Sequence, residues 1–431
     1  MKKTGLGILF VSILSSSTLY AMTELDDNAL SQVEGQALLN LVVTNGNNGS
    51  DSLGQSYNQD NIKFYKLGLD AQIELNTNIK KLQLGCGGDN GTGNCDIDID
   101  HLSLSGISDT SNGRVNSSAL IKNPFIEFAI KNPLNSANRE VQGFRVSAEA
   151  IEGLLTFGKE NSGTKNGINA FSGYMVTKET TGTVKTGAVT SGLTQSALNK
   201  VITGQAKSSS GAIRVPFESN DYDIKLSAAT GSLLLPSQVI SGKRITTAEL
   251  KGTANVSGIN LSGTIDATAT LIGFIPIGIS GDLSGVINNL GVNVSVSENL
   301  GYFHKVNLNG TAASLSLQTQ NLVWPGAKST ASKGWWLELS NPIDIGDVSP
   351  KNDVIITKDV VAATLDQVSA YLSKNENAVD CGFLTTSCLL AGKINTGTVN
   401  LTGKYVPMAL NNLVLTNQGF ASNCYGGLKF C

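Results

Sequence analysis

Few residues in this chain are able to carry chemistry, and their spacing limits what they can do. Six cysteines fall as three close pairs, Cys86 with Cys95, Cys381 with Cys388, and Cys424 with Cys431. In an oxidising compartment an even count at such spacing reads as disulfides, and nearness in sequence favours these local partners. Zinc clusters use shorter C-x2–4-C separations, so metal ligation is the weaker reading. A short loop gains about 2 kcal/mol from its bridge, so each staple shapes a loop more than it holds the fold.

The sharpest cluster of carboxylates is Asp96, Asp98 and Asp100. On a strand they project to one face about 7 Å apart. Calcium is the cation such oxygen ligands would take, shared with the neighbouring Asp89-Asn90 loop, whereas the plain alternative is a solvated strand face. The loop matches neither the EF-hand nor the Gly-rich nonapeptide pattern, and no other cofactor is expected. The chain has only two histidines, His101 and His304, neither in a nucleophile or metal motif. Ser172, in Phe171-Ser-Gly-Tyr, lacks the first glycine of a nucleophile elbow. Catalysis therefore has little to work with, and an enzyme is not expected. Trp335 and Trp336 are adjacent, so on a strand they point to opposite faces. The outward one is an interface candidate unless the Trp324-Pro325-Gly326 loop covers it.

The elements that position these residues follow from charge and periodicity. Lys2 and Lys3, the apolar run Leu6 to Leu14 and the small residues Ser15 to Ala21 read as a cleavable secretory signal over residues 1–21. The run falls short of the ~20 residues that span a bilayer. Its removal takes the net charge from −3 to about −5, which gives no reason to seek nucleic acid. Charged residues make up only 15% of the chain and Gly numbers 47, a profile of polar, glycine-punctuated β proteins rather than helical enzymes.

Residues 22–43 are expected to hold a short helix or hook, with Leu25, Ala29, Leu30 and Val33 on one face. Residues 44–60 read as loop. Thereafter the period is two. Leu67, Leu69, Ala71, Ile73 and Leu75 share one face, with Gly68, Asp70, Gln72 and Glu74 on the wet side. Ile126-Phe128-Ile130, Phe144-Val146-Ala148, Leu315-Leu317 and Trp335-Leu337-Leu339 repeat the pattern. Leu82-Gln-Leu84 and Asp96-Ile-Asp-Ile-Asp100 flank a turn-rich tip, a hairpin clipped at its base by Cys86 and Cys95. Apolar positions are even through Val256 and odd from Ile259, which requires a turn or bulge near Gly258. Beyond the N-terminal segment, helical signals are few: Asp359–Leu372 and, more weakly, 191–202. The apolar stretch Leu271–Ile279 with Pro276 reads as a buried edge strand, the favoured alternative, or as a surface that meets a partner.

The expected fold is mainly β, an elongated antiparallel sheet or β-sandwich with few short helices. A main β region would cover 61–350, with a break between two sub-domains near 160–215. The C-terminal region 351–431 would carry a helix and two local disulfides.

Several stretches together resemble the Fil-type pilus-system proteins of Acinetobacter-like bacteria. They are Leu25-Asp-Asp-Asn-Ala-Leu-Ser-Gln-Val-Glu-Gly-Gln36, Lys80-Lys-Leu-Gln-Leu-Gly-Cys-Gly-Gly88 with Cys95-Asp-Ile-Asp-Ile-Asp100, Asn123-Pro-Phe-Ile-Glu-Phe-Ala-Ile-Lys-Asn-Pro133, Gly143-Phe-Arg-Val-Ser-Ala-Glu149 and Gly334-Trp-Trp336. The resemblance is densest over 22–160, with an echo near 320–350. It implies envelope export and a part in a fimbria-like surface system, and it brings no catalytic residues. The expectation is thus an exported cell-surface or pilus-associated structural or adhesive protein. Its partners would be other pilus or envelope assembly proteins and a host or abiotic surface. The alternatives are an outer-membrane β-barrel, suggested by the terminal Tyr425-Gly-Gly-Leu-Lys-Phe-Cys431, or a periplasmic accessory of an assembly system.

Overall fold

The computed structural model describes residues 39–87, 90–382, 387–411 and 413–427, without the side chains of 387–392 and 427. The readings for the signal segment and for residues 22–38 lie outside these. The rest of the chain is mainly β, in a twelve-stranded, a seven-stranded and a five-stranded sheet with one two-stranded hairpin.

The two smaller sheets form the sandwich-like part. The chain alternates between them. Thr247–Val256 lies in the five-stranded sheet and Ile259–Leu271 in the seven-stranded one, and the next strands, Ile275–Asn288 and Leu290–Asn299, cross back. Each crossing needs a backbone that turns out of the sheet, and Gly258 (φ 78°) and Asn289 (φ 61°) supply it. The corner is tied by Gly258 N donating to Asn288 Oδ1 at 2.8 Å and Asn289 N donating to Ser257 Oγ at 3.0 Å. Strict alternation, buried then exposed, runs through Thr247–Val256. The inward residues of both sheets, among them Leu250, Val256, Ile259, Leu261, Val292 and Val294, belong to one continuous apolar cluster. Each such aliphatic side chain contributes roughly 1.5–3 kcal/mol when fully buried.

The helix Lys358–Leu372 closes this core with Val360, Val361, Leu365, Val368 and Leu372 buried, the stripe that the 3.6-residue period predicts. The second helical signal shrinks to Gln195–Leu198, because Val189–Thr194 is drawn into a strand beside Arg214–Leu226. In Leu271–Ile279 the favoured reading, burial, holds only for the second half. Ile272 and Phe274 form an exposed hairpin tip, each 73% accessible, and only Ile277 and Ile279 are buried. Among the described residues, the neighbouring strand Ser387–Asn400 pairs from Gly278 onward, past Pro276.

Not all pairing is antiparallel. Ser387–Asn400 joins Ile275–Asn288 in parallel, and Tyr405–Asn411 joins Leu290–Asn299 in parallel, closing one edge of each smaller sheet. The segment 413–427 then runs from the five-stranded sheet to the large one, and polar groups hold it along the way. Glu298 accepts from Val414 N at 2.9 Å, Arg114 donates to Ala421 O at 2.8 Å, and Asn78 donates to Asn423 O at 2.8 Å.

The large sheet starts at its edge strand Leu39–Asn45 and continues through Ile62–Leu69, Ala119–Lys131 and Glu140–Thr156. Residues 39–43, expected in a helix or hook, are therefore extended. Within the segment read as loop, Asn48–Ser50 pairs with Ser56–Asn58. The Asp51 carboxylate stabilises that hairpin by accepting from Leu53 N, Gln55 N and Thr330 N.

Candidate interaction surface on the large sheet

Four neighbouring strands, with Ala313–Gln318 and Gly334–Asp344 beyond them, give the large sheet two faces of opposite character. On one face Glu127 stands opposite Arg145, and the two form an ion pair with side chains only 2% and 7% accessible. The segment 319–333 folds over them. Its Trp324 packs on Phe64 at 5.5 Å and lies 5.4 Å from the Arg145 guanidinium, while Pro325 O accepts from Arg145 at 3.0 Å. Gln59 fastens the segment by donating to Val323 O and accepting from Val323 N. Ile62, Phe64, Ala129, Leu322, Trp324, Ala331 and Trp336 make a second, separate core. Glu338, buried here too, accepts from Lys328 N and Ser329 Oγ, and burial pushes its carboxyl up.

The opposite face has no charge across two full rows. Measured registers align Leu67, Ile126, Val146, Leu315 and Leu337 across five strands, and Tyr65, Phe128, Phe144, Leu317 and Trp335 across the same five. The edge strand extends both rows. Gly46 N donates to Ile62 O at 2.7 Å and Asn40 O lies beside Gly68, an antiparallel register that sets Leu41 beside Leu67 and Val43 beside Tyr65. At the inner end Leu315, Trp335 and Leu337 pack against the main core, and Phe144 meets Trp335 edge-on at 5.9 Å. At the outer end the rows emerge into solvent. Leu67, Ile126, Phe128 and Val146 are 41–46% exposed, and Leu41 is 64% exposed. Contiguous exposed apolar patches are uncommon on soluble monomers and mark contact surfaces.

Among the described residues, the edge itself carries no protection either. Sheets block unwanted pairing with charge, proline, bulges or short strands. Thr77–Leu84, at the far end of the same sheet, carries Lys80 and Lys81. Tyr405–Asn411 carries Pro407, and Ser387–Asn400 carries Lys393 and two register shifts. Leu39–Asn45, with the sequence LNLVVTN, has no charge and no proline.

The residues singled out by type fall elsewhere. Lys81 pairs with both Asp98 and Asp100, and Asn169 donates to the same two carboxylates at 3.1 and 2.6 Å. Burial pushes the Asp98 carboxyl up, but Lys81, Gln83 and Asn169 outweigh it and hold it below its ordinary value. Asp96 is buried apart, accepting from Asn90 Nδ2 and Trp335 N, both at 3.0 Å. Gly85 (φ 65°) and Gly334 (φ 106°) leave room for it, since a Cβ on either would strike its carboxylate. Amides and a lysine thus stand where calcium would need to, and the described residues contain no group of three ligands able to hold a metal. Asp89 lies outside those residues.

Trp336 is buried in the second core, its Nε1 donating to Ser329 Oγ at 3.2 Å, and Trp335 is half-buried on the open face. The loop around Trp324 does cover Trp336, while Trp335 sits at the root of the apolar rows. Cys86 and Cys95 form the disulfide at the hairpin base. Cys381 and Cys424 are each disulfide-bonded, and the side chains of Cys388 and Cys431 lie outside the described ones. His304 is buried with Nδ1 2.7 Å from Phe157 O, and burial lowers its pKa. Ser172 Oγ accepts from Arg244 N at 2.9 Å.

Compared with protein-family models, with curated proteins and with solved structures, the chain matches none.

Proposed function

We propose that this chain is an exported cell-surface or pilus-associated protein with a structural or adhesive role, acting by protein–protein contact through the open face of its large sheet. One observation carries the reading. Two six-residue rows without a single charge run from the core into solvent and end on an edge strand that carries neither charge nor proline. Cysteines bonded at Cys86, Cys95, Cys381 and Cys424 suit an oxidising compartment. The apolar side chains of the open face supply affinity, and the edge supplies directional hydrogen bonds for an added strand.

The test is localisation in cells making either the natural chain or Phe128→Glu, which places a charge amid the rows at a 41% exposed position. Cells are sheared, and filament, outer-membrane and periplasmic fractions are probed with one antibody. The natural chain is expected in the sheared or membrane-bound assembly and the variant free in the periplasm. Identical distribution of the two would remove the open face from the function.

A further inference from the structure

The open face also constrains what covers it, and this inference rests on reading that face as a contact surface. Interfaces between unlike, exchanging proteins are about as polar as the rest of a surface, whereas homodimer interfaces are more apolar and short of charge at their centre. The two rows belong to the second kind. Around Phe128 and Ile126 every same-face neighbour across the strands is apolar or Tyr65, and the nearest charge on this face is Lys63, opposite Ile130 at the rim. Such a face offers nothing to select a foreign partner by charge, and it is complementary to itself.

Area supports the same occupant. The emergent part spans four strands at ~4.8 Å spacing and about three same-face positions at ~6.8 Å intervals, the two rows and the half-buried Leu69 and Pro124 beside them, roughly 400 Å² per copy in outline. Side-chain relief raises the accessible surface removed, so two faces together bury about 1,000 Å², near the lower limit for a specific complex. Edge pairing of one seven-residue strand removes less and would leave both apolar faces wet. We propose that two copies of the chain pack open face to open face across a two-fold axis, as the layers of an aligned β-sandwich pack, with Leu67, Ile126, Phe128 and Val146 at the centre.

Sedimentation velocity of the disulfide-intact chain lacking residues 1–21, from nanomolar to tens of micromolar, measures this. The natural protein is expected to shift from monomer to dimer with concentration. Phe128→Glu and, independently, Ile126→Lys should remain monomeric throughout, with circular dichroism matching the natural chain. Asn45→Pro supplies the contrasting arm. Gly46 N points inward to Ile62 O, so by alternation the Asn45 N–H points away from the sheet, and proline there blocks edge pairing without touching the rows. Dimer retained in Asn45→Pro and lost in Phe128→Glu supports the face-to-face pair. Dimer lost in Asn45→Pro but kept in Phe128→Glu replaces it with edge pairing. A natural chain monomeric at every concentration overturns the second copy as occupant. In that case, capture of a distinct envelope protein by the natural chain but not by Phe128→Glu leaves the contact-surface reading standing, and equal capture by both removes that reading too.

Discussion

The two faces of the large sheet are made by the same strands, with alternate residues of Ile62–Leu69, Ala119–Lys131 and Glu140–Thr156 going to each. The covered face holds Glu127, Arg145, Gln318 and Glu338, all nearly inaccessible. The exposed face holds leucine, isoleucine, phenylalanine and valine. This inverts the ordinary arrangement of polar outside and apolar inside. Buried charge is tolerated where each group finds a partner, and 319–333 supplies those partners through Pro325 O, the Trp324 ring and the Lys328 and Ser329 donors. The exposed apolar rows have no such explanation within the described fold, and their natural complement is another protein surface.

The largest effect on this contrast should come from the ion pair. Arg145→Met leaves the Glu127 carboxylate buried without its partner and should lower unfolding free energy by about 4 kcal/mol in denaturant titration. The double change Glu127→Leu with Arg145→Met should recover most of that loss, because two apolar side chains need no partners. A double variant as unstable as the single would mean that the pair specifies the seating of 319–333 as well. Trp324→Ala comes next, at about 3 kcal/mol, since it empties the second core and uncovers Arg145. Its tryptophan-emission change on unfolding should shrink in parallel.

A pH dependence separates the faces more finely. Burial raises the Glu338 carboxyl above its ordinary 4.5, so the folded chain holds that proton more tightly than the unfolded chain. Stability from this group is full below about pH 4.5 and declines as pH rises through the folded value. Glu338→Gln should abolish that portion of the decline, seen as a flatter unfolding free energy above pH 4.5. The smallest effect belongs to the open face. Ile126→Ser and Val146→Ser, in dilute protein, should each change stability by no more than about 0.5 kcal/mol while raising the concentration at which the protein self-associates. A loss of several kcal/mol from either would show that the face is internal to the monomer.

Much of the fold was legible from period two alone. The disulfide-clipped hairpin, the parity break at Gly258 and the buried stripe of Lys358–Leu372 stand where local pattern placed them. The face assignment of 67–75 did not survive, for a physical reason. Leu67 was read as inward because it alternates with Gly68 and Asp70, but the chain breaks after Leu69, and Leu67, Ile73 and Leu75 are exposed while Gly68 is buried. Alternation divides a strand into two sides without saying which is wet, and here the loop that decides it lies about 250 residues further along. The candidate surface was hidden for the same reason. Ile126-Phe128, Phe144-Val146 and Leu315-Leu317 were each visible as apolar runs, but only their registers assemble them into rows. Asp98 and Asp100 looked like ligands because Lys81 and Asn169, which occupy them, sit on neighbouring strands, and Asp96 because its partner Trp335 N lies far along the chain.

The parallel strands Ser387–Asn400 and Tyr405–Asn411 bear on the order in which the molecule can be completed. Ribosomes deliver a chain from its N-terminus, and both strands lie near the end of this one. Until they arrive, Ile275–Asn288 and Leu290–Asn299 each keep a row of backbone groups unpaired, in two sheets at once. Each smaller sheet therefore reaches its full width only once residues 387–411 are in place, and both gain their last strand from the same stretch of chain.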